Sequence, residues 1–195
     1  MAKVMAGACM SLDGYISGPG ESGFEHLFRW LGEGDVEMPT AQPDRVLRMS
    51  EASAGHMREL VADTGAIVVG RRLFDMTRGW GGKHPLGVPV FVVTHRPPDG
   101  WAGTPFAFVT DGVESAVEQA KAVAGDRWVG VNGGSMAQQC LHAGLLDELR
   151  IDLIPVLLGG GVPFFGELPK TIELSGPRIV AGTGVTHLSY EVTRP

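Results

Sequence analysis

Gly133, Gly134 and Ser135 stand between an apolar run, WVGVN (residues 128–132), and a segment with helical spacing, SMAQQCLHAG. Adjacent glycines at such a corner leave the main chain bare, so a ligand can approach it closely. The free N–H groups of the following helix, with a dipole worth about +0.5 charge, form an anion site there. The chemistry implied is pyrophosphate binding, with Ser135 bonding a phosphate oxygen. The alternative is a tight strand–helix turn that Ser135 caps. Gly70 closes a second apolar run, AIVVG, and Arg71 and Arg72 follow at once. A forked, permanently charged guanidinium suits phosphate; the alternative is a solvated turn that pairs with Asp75. Thr94, His95 and Arg96 follow a third run, VPVFVVT. Groups just beyond the carboxyl ends of strands line the ligand crevice of an α/β sheet. These strand ends together point to a phosphorylated adenosine half, with Arg71, Arg72 and Arg96 as candidates for a 2′-phosphate. Asp13 follows the first apolar run at the same rim. It reads either as a turn residue of the Asp13–Gly14 pair or as a carboxylate near the reaction centre.

The elements that must position these groups alternate in type. Val4–Ser11, residues 66–70, 88–94, 106–110 and Trp128–Asn132 read as strands. Residues 45–62 carry apolar side chains at helical spacing, as do 113–124 and 135–143. ELRIDLIPVLL (148–158) alternates in its first half, as a strand with one wetter face does. Residues 171–175 and 185–193 read as two antiparallel strands. Gly18–Pro43 reads as a long loop with one short helix near 24–31. This order implies an α/β fold, mostly parallel with an antiparallel edge, in one domain over residues 1–195.

Net charge −6 argues against nucleic-acid or anionic-membrane partners. There is no signal-peptide pattern and no transmembrane stretch. Cys9 and Cys140 read as small buried hydrophobes, which fits a reducing, cytoplasmic setting. The six histidines form no i,i+4 pair and stand near no cysteine at ligand spacing, so no metal is expected. GPGESG (18–23) matches G-x-G-x-x-G in letters but contains Pro19 and opens no strand–helix unit, so it reads as a mobile loop. The glycine run at 159–161 reads as a turn, with Phe164 and Phe165 packing beyond it.

Taken in order, SLDGYIS, IVVGRRLFD, PVFVVTHRP, VNGGSM and LDELRIDLIPVLLGGGVPFF resemble the dihydrofolate reductase superfamily. They are most similar to the reductase domain of the riboflavin-biosynthesis deaminase–reductase. The resemblance implies a three-layer α/β/α fold with a mixed central sheet, and an NADPH-dependent oxidoreductase. It puts the nicotinamide beside Ala8, Cys9 and Ile16, and the pyrophosphate at Asn132, Gly133, Gly134, Ser135 and Met136. The Gly133–Gly134 bond is expected to be cis. Gly70, Arg71, Arg72, Thr94, His95 and Arg96 correspond to the adenosine and 2′-phosphate side, and residues 18–43 to a lid. Folate reductases carry an acid on the first long helix, at a position that falls near Ser53–Ala54; Glu51 is the nearest acid here and the candidate substrate contact. Riboflavin-pathway reductases usually carry an acid where this chain has Asn132. The deaminase motifs H-x-E and P-C-x-x-C are absent from the sequence.

The expected activity is 5-amino-6-(5-phosphoribosylamino)uracil reduction or that of a related small molecule, with Asp13 the catalytic candidate. The alternatives are an NADPH-binding protein without turnover and a reductase of another carbonyl, imine or pterin. A homodimer is plausible from the apolar IDLIPVLL edge.

Overall fold

The computed structural model describes residues 2–101, 103–168 and 170–193. Its centre is an eight-stranded sheet. In chain order the sheet strands are β1 (Val4–Ser11), β5 (Thr64–Gly70), β6 (Val90–Val93), β7 (Phe106–Val109), β8 (Trp128–Asn132), β9 (Glu148–Ile154), β11 (Leu174–Gly182) and β12 (Val185–Val192). Across the sheet they run β11-β12-β9-β1-β8-β5-β6-β7. The stretch from β9 to β7 is parallel, and β12 and β11 add an antiparallel pair at one side. The expected mixed, mostly parallel sheet is therefore what forms.

Strands buried on both faces read as continuous apolar runs, which is why AIVVG shows no alternation. Within it Ala66 and Val68 face one way, against α4 (Val113–Ala124) and α5 (Gly134–His142). Ile67 and Val69 face the other way, into a cluster with Phe74 of α3 (Arg71–Met76). A separate cluster joins Leu27, Trp30, Met49 and Ala54 of α2 (Glu51–Asp63). Helices on both faces make the three layers. Among the described residues no helix is long and apolar enough to cross a membrane.

The structure differs from the sequence reading in several places. Residues 46–49 are strand β4, antiparallel to β3 (Val36–Pro39), and α2 starts only at Glu51. Ser50 sets that start, accepting a bond from the Ser53 N–H. Val46 and Met49 satisfy a helical period, but pairing with β3 inside the expected loop overrides it. The last hairpin is antiparallel as expected, with its first strand at Leu174–Gly182. IDLIPVLL is not an edge: β9 lies between β12 and β1, because the C-terminal hairpin adds outside it. The exposed edge is β11, where Ile179 is 61% accessible. The glycine run at 159–161 is a turn with positive φ throughout, and Phe164 is fully buried with its ring edge-on to Phe165.

Candidate functional site

Along the carboxyl ends of β1, β5, β6 and β8 runs one cavity of about 1430 Å³. Single drug-sized ligands occupy roughly 300–1,000 Å³, so this one has room for a longer molecule or for two. The fold brings nearly every predicted site residue to its wall. Ala8 and Cys9 reach it from β1 and Ile16 from β2 (Tyr15–Ser17). Gly70, Arg71 and Arg72 come from the β5–α3 junction, and Thr94, His95 and Arg96 from the end of β6. Asn132, Gly133, Gly134, Ser135 and Met136 supply the β8–α5 corner.

That corner needs both glycines, for different reasons. Gly133 has φ +96°, a conformation L side chains rarely adopt, and a Cβ there would meet nothing within 4 Å. Gly134 has ordinary backbone, but its Cβ would lie 3.0 Å from the Pro163 carbonyl oxygen and 3.2 Å from Ile16 Cδ1. The bond between them is trans, contrary to expectation, as are the other described peptide bonds. The positive φ of Gly133 turns the chain without a cis bond, which costs about 3 kcal/mol without proline. Gly133 is also the cap residue of α5, and no side chain caps the helix. Ser135 thus lies inside the first turn rather than capping it.

The arginines are held as well as exposed. Arg71 Nε bonds both Asp75 oxygens at 2.8 Å and Nη1 bonds the Arg96 carbonyl oxygen at 2.8 Å. Arg72 Nε bonds Glu21 Oε1 at 2.7 Å, which ties α3 to the Pro19–Glu21 turn of the loop. Thr94 is buried and fixes the strand end through Oγ1, which donates to the Arg96 carbonyl oxygen at 2.9 Å. GPGESG includes this turn and lies between β2 and the four-residue helix α1 (Phe24–Leu27), but β2 pairs with β10 (Val162–Pro163) outside the central sheet, so the segment opens no unit of the parallel sheet.

Asp13 and Glu51 are not among the cavity's wall residues. Asp13 accepts bonds from Ser11 Oγ–H (2.5 Å), Leu158 N–H (3.1 Å) and Gly159 N–H (2.7 Å). The Ser11 bond, with the two backbone donors, holds its carboxyl below the usual range. It fastens the glycine turn to β1. Glu51 points to solvent and pairs with Arg58.

The sequence reading missed a polar row at the other end of the cavity. Cys9 of β1 pairs in register with Asp152 of β9, and Asp152 with His187 of β12. The wet face of β9, with Arg150 and Asp152 in alternate positions, was the only local signal. Helix α2 lies over this row, and it approaches β11 closely because Gly182 has no side chain to strike Ser53 Oγ. His187 Nδ1–H donates to Asp152 Oδ1 at 2.6 Å and its Nε2 lies 2.9 Å from Ser53 Oγ. His56 of α2 stacks on His187, with ring centroids 4.3 Å apart. Burial, and then the neighbouring His187, keep His56 below the usual histidine pKa.

His56, Asp152 and His187 each bring one donor atom within 4.8 Å of the others, a cluster that spacing along the chain does not reveal. The two rings lie only 20° from parallel. An imidazole binds a metal in its own plane, so stacked rings do not converge on one ion. Both nitrogens of His187 are also bonded already. The arrangement is a hydrogen-bonded one rather than a metal centre.

His84, on the same cavity, is 8% exposed, and its Nδ1 accepts the Leu86 N–H at 3.2 Å. Burial, then Arg45, lowers its pKa from 6.5 to about 4. Between those values the unfolded chain binds the extra proton, so stability falls as pH drops from 6.5 towards 4. The loss approaches about 3 kcal/mol. His84→Asn is expected to flatten the urea midpoint across that window, and an unchanged slope would refute the assignment.

The family model described as the RibD C-terminal domain matches residues 2–183. A crystal structure of a Shewanella sp. PV-4 protein, provisionally assigned to riboflavin biosynthesis, is 26% identical with a TM-score of 0.70; the match covers 100% of each chain. The riboflavin-biosynthesis reductase of Saccharomyces cerevisiae is 13% identical with a TM-score of 0.62, over 98% of this chain and 90% of that one. Dihydrofolate reductase from Enterococcus faecalis, solved with NADP(H), is 15% identical with a TM-score of 0.56, over 98% and 97%. The curated proteins contain no significant match.

Proposed function

The chain belongs to the RibD C-terminal domain family, and from that membership and the cavity we propose that it is an NADPH-dependent reductase of a small heterocycle. The substrate reading is the phosphoribosylamino-pyrimidine of riboflavin biosynthesis. The observation that carries it is the β8–α5 corner. Bare backbone at Gly133, the open first turn of α5 and the guanidinium groups of Arg71, Arg72 and Arg96 share one wall. A dinucleotide with an extra phosphate fits such a wall. The N–H groups of α5 take its diphosphate, and Arg72 and Arg96 take the 2′-phosphate.

When bound, the cofactor supplies a hydride to an electrophilic C=O or C=N carbon. The chain's part is positioning. Ala8, Cys9 and Ile16 form the wall beside the nicotinamide, and Gly134 lets Ile16 approach the β8–α5 corner. The loop that Glu21 ties to Arg72 covers the site and excludes water. Asp13 keeps the β1 rim and the glycine turn in place and touches no reacting atom. The reading places the protein in the cytoplasm, acting on a small molecule.

Calorimetry of the full chain with NADPH and NADH tests the reading. Wild type is expected to prefer NADPH, and the Arg71→Ala/Arg72→Ala pair to lose about tenfold in NADPH affinity while NADH binding stays nearly constant. Equal loss for both cofactors would refute the phosphate assignment. NADPH binding without oxidation by any pyrimidine, pterin or carbonyl substrate would replace the reductase with a binding protein.

A further inference from the structure

We propose that Asp152 binds the second molecule in the cavity, and that it takes the paired N–H donors of a flat heterocycle. This rests on the reductase reading for the cavity's other occupant, and it adds to that reading the residue that holds the ring and the donor pair it recognises. Cys9, Asp152 and His187 form one row across three adjacent strands, far apart in sequence but joined by register. The hydrogen bonds link the row end to end. Ser50 Oγ–H donates to Ser53 Oγ at 3.1 Å. Ser53 Oγ lies 2.9 Å from His187 Nε2, and His187 Nδ1–H donates to Asp152 Oδ1. The series ends on a carboxylate.

A serine–histidine–aspartate sequence of bonds suggests a hydrolase, but its orientation here is reversed. Ser53 is 1% exposed and the His187 side chain 0%, while the Asp152 side chain is 23% exposed and lines the cavity. The buried serine is the anchor, and the carboxylate is the working end. A carboxylate has about four acceptor directions. Among the described residues its side-chain donors are His187 Nδ1–H and the weak Cys9 S–H, whose sulfur is 3.7 Å from Oδ2. The nearby cation does not serve it: Arg150 pairs with Glu148 and lies over the Trp128 ring.

The surroundings set the ligand class. Phe24, Leu31 and Leu60 line the same cavity, and Phe24 and Leu31 pack in the cluster that contains Cys9. His56 lines it too, with a buried Nδ1 that has no hydrogen-bond partner. Apolar and aromatic walls take a flat ring. A carboxylate at its edge takes two parallel N–H groups. His187, which does not reach the ligand, is a positioning residue.

The test is calorimetry of the full chain with 2-aminopyrimidin-4(3H)-one, whose ring N–H and amino group are adjacent. Its N3-methyl derivative and butylammonium serve as comparison probes. Wild type is expected to bind the parent ring at least about tenfold tighter than either other probe. Asp152→Asn should lower parent affinity about tenfold and bring the parent-to-methyl ratio near one. His187→Phe should shrink the same ratio, and His187→Asn, which keeps one donor, should restore part of it. A purely structural role would leave the ratio unchanged. The proposal fails if wild type ignores the parent ring, binds the methylated ring or butylammonium as tightly, or if Asp152→Asn discriminates like wild type. NADPH titration of the same samples separates the two readings. Wild type that binds the ring selectively but not NADPH would refute the reductase and keep the Asp152 site.

Discussion

Gly133→Val is expected to lower NADPH affinity by about 100-fold or more while the fold persists. At φ +96° a residue other than glycine costs of order 1–3 kcal/mol, and a β-branched one lies at the upper end. The new side chain meets no protein atom near its Cβ, so the protein has space for it. That space is the one assigned to the diphosphate, and losing the close approach removes charge-assisted bonds to the α5 N–H groups. The 100-fold change corresponds to about 2.8 kcal/mol of lost binding, while the backbone strain lowers the stability of free and bound protein alike. NADPH fluorescence titration reads the affinity, and a thermal melt shows whether the variant is folded. A folded variant that binds within threefold of wild type would end the diphosphate assignment.

Phe74→Ala is expected to be the most damaging single change to stability among those considered. Phe74 is 2% exposed and meets Trp101, Phe106 and Phe108 edge-on, with centroids 4.8–5.3 Å away. Truncating a core phenylalanine costs about 3–5 kcal/mol, equivalent to a melting-temperature drop of about 10 °C in a chain of this size. The change also frees the helix that presents Arg71 and Arg72. Even below the new melting point, NADPH preference over NADH should therefore narrow. Phe74→Leu, which fills much of the space, should recover most of both. Equal melting of wild type and Phe74→Ala would show that this ring cluster does not anchor α3.

The two ends of the cavity were unequally legible in the sequence. The cofactor-side candidates are local features: a glycine pair, an Arg-Arg step and a Thr-His-Arg step, each directly after an apolar run. Strand ends in an α/β fold converge on one rim, so local reading sufficed to place Arg72 and Gly133 on one cavity. The Asp152 end depends on register instead. Cys9 meets Asp152, and Asp152 meets His187, only because β9 lies between β1 and β12. No spacing along the chain encodes that. The carboxylate at that end of the cavity, Asp152, stands on β9, while the first long helix contributes Ser53 and His56 to its surroundings. The β3–β4 hairpin escaped because Val46 and Met49, three apart, fit a helical period; in the strand they face opposite sides, Val46 exposed and Met49 buried, and only pairing with β3 decides it. Asp13 drew attention by standing at the rim, but its bonds to Leu158 and Gly159 show that a carboxylate there can be consumed by holding a turn.

Under the proposed assignment, the Glu21–Arg72 contact makes the arginine's choice a competition rather than a simple capture. An incoming 2′-phosphate competes with Glu21 for the Nε and Nη2 donors of Arg72, so its net gain is reduced by the carboxylate it displaces there. NADH has no group with which to make the trade and leaves the loop tethered as it was. Discrimination between the two dinucleotides then depends on the loop's own acid as much as on the arginine that receives it.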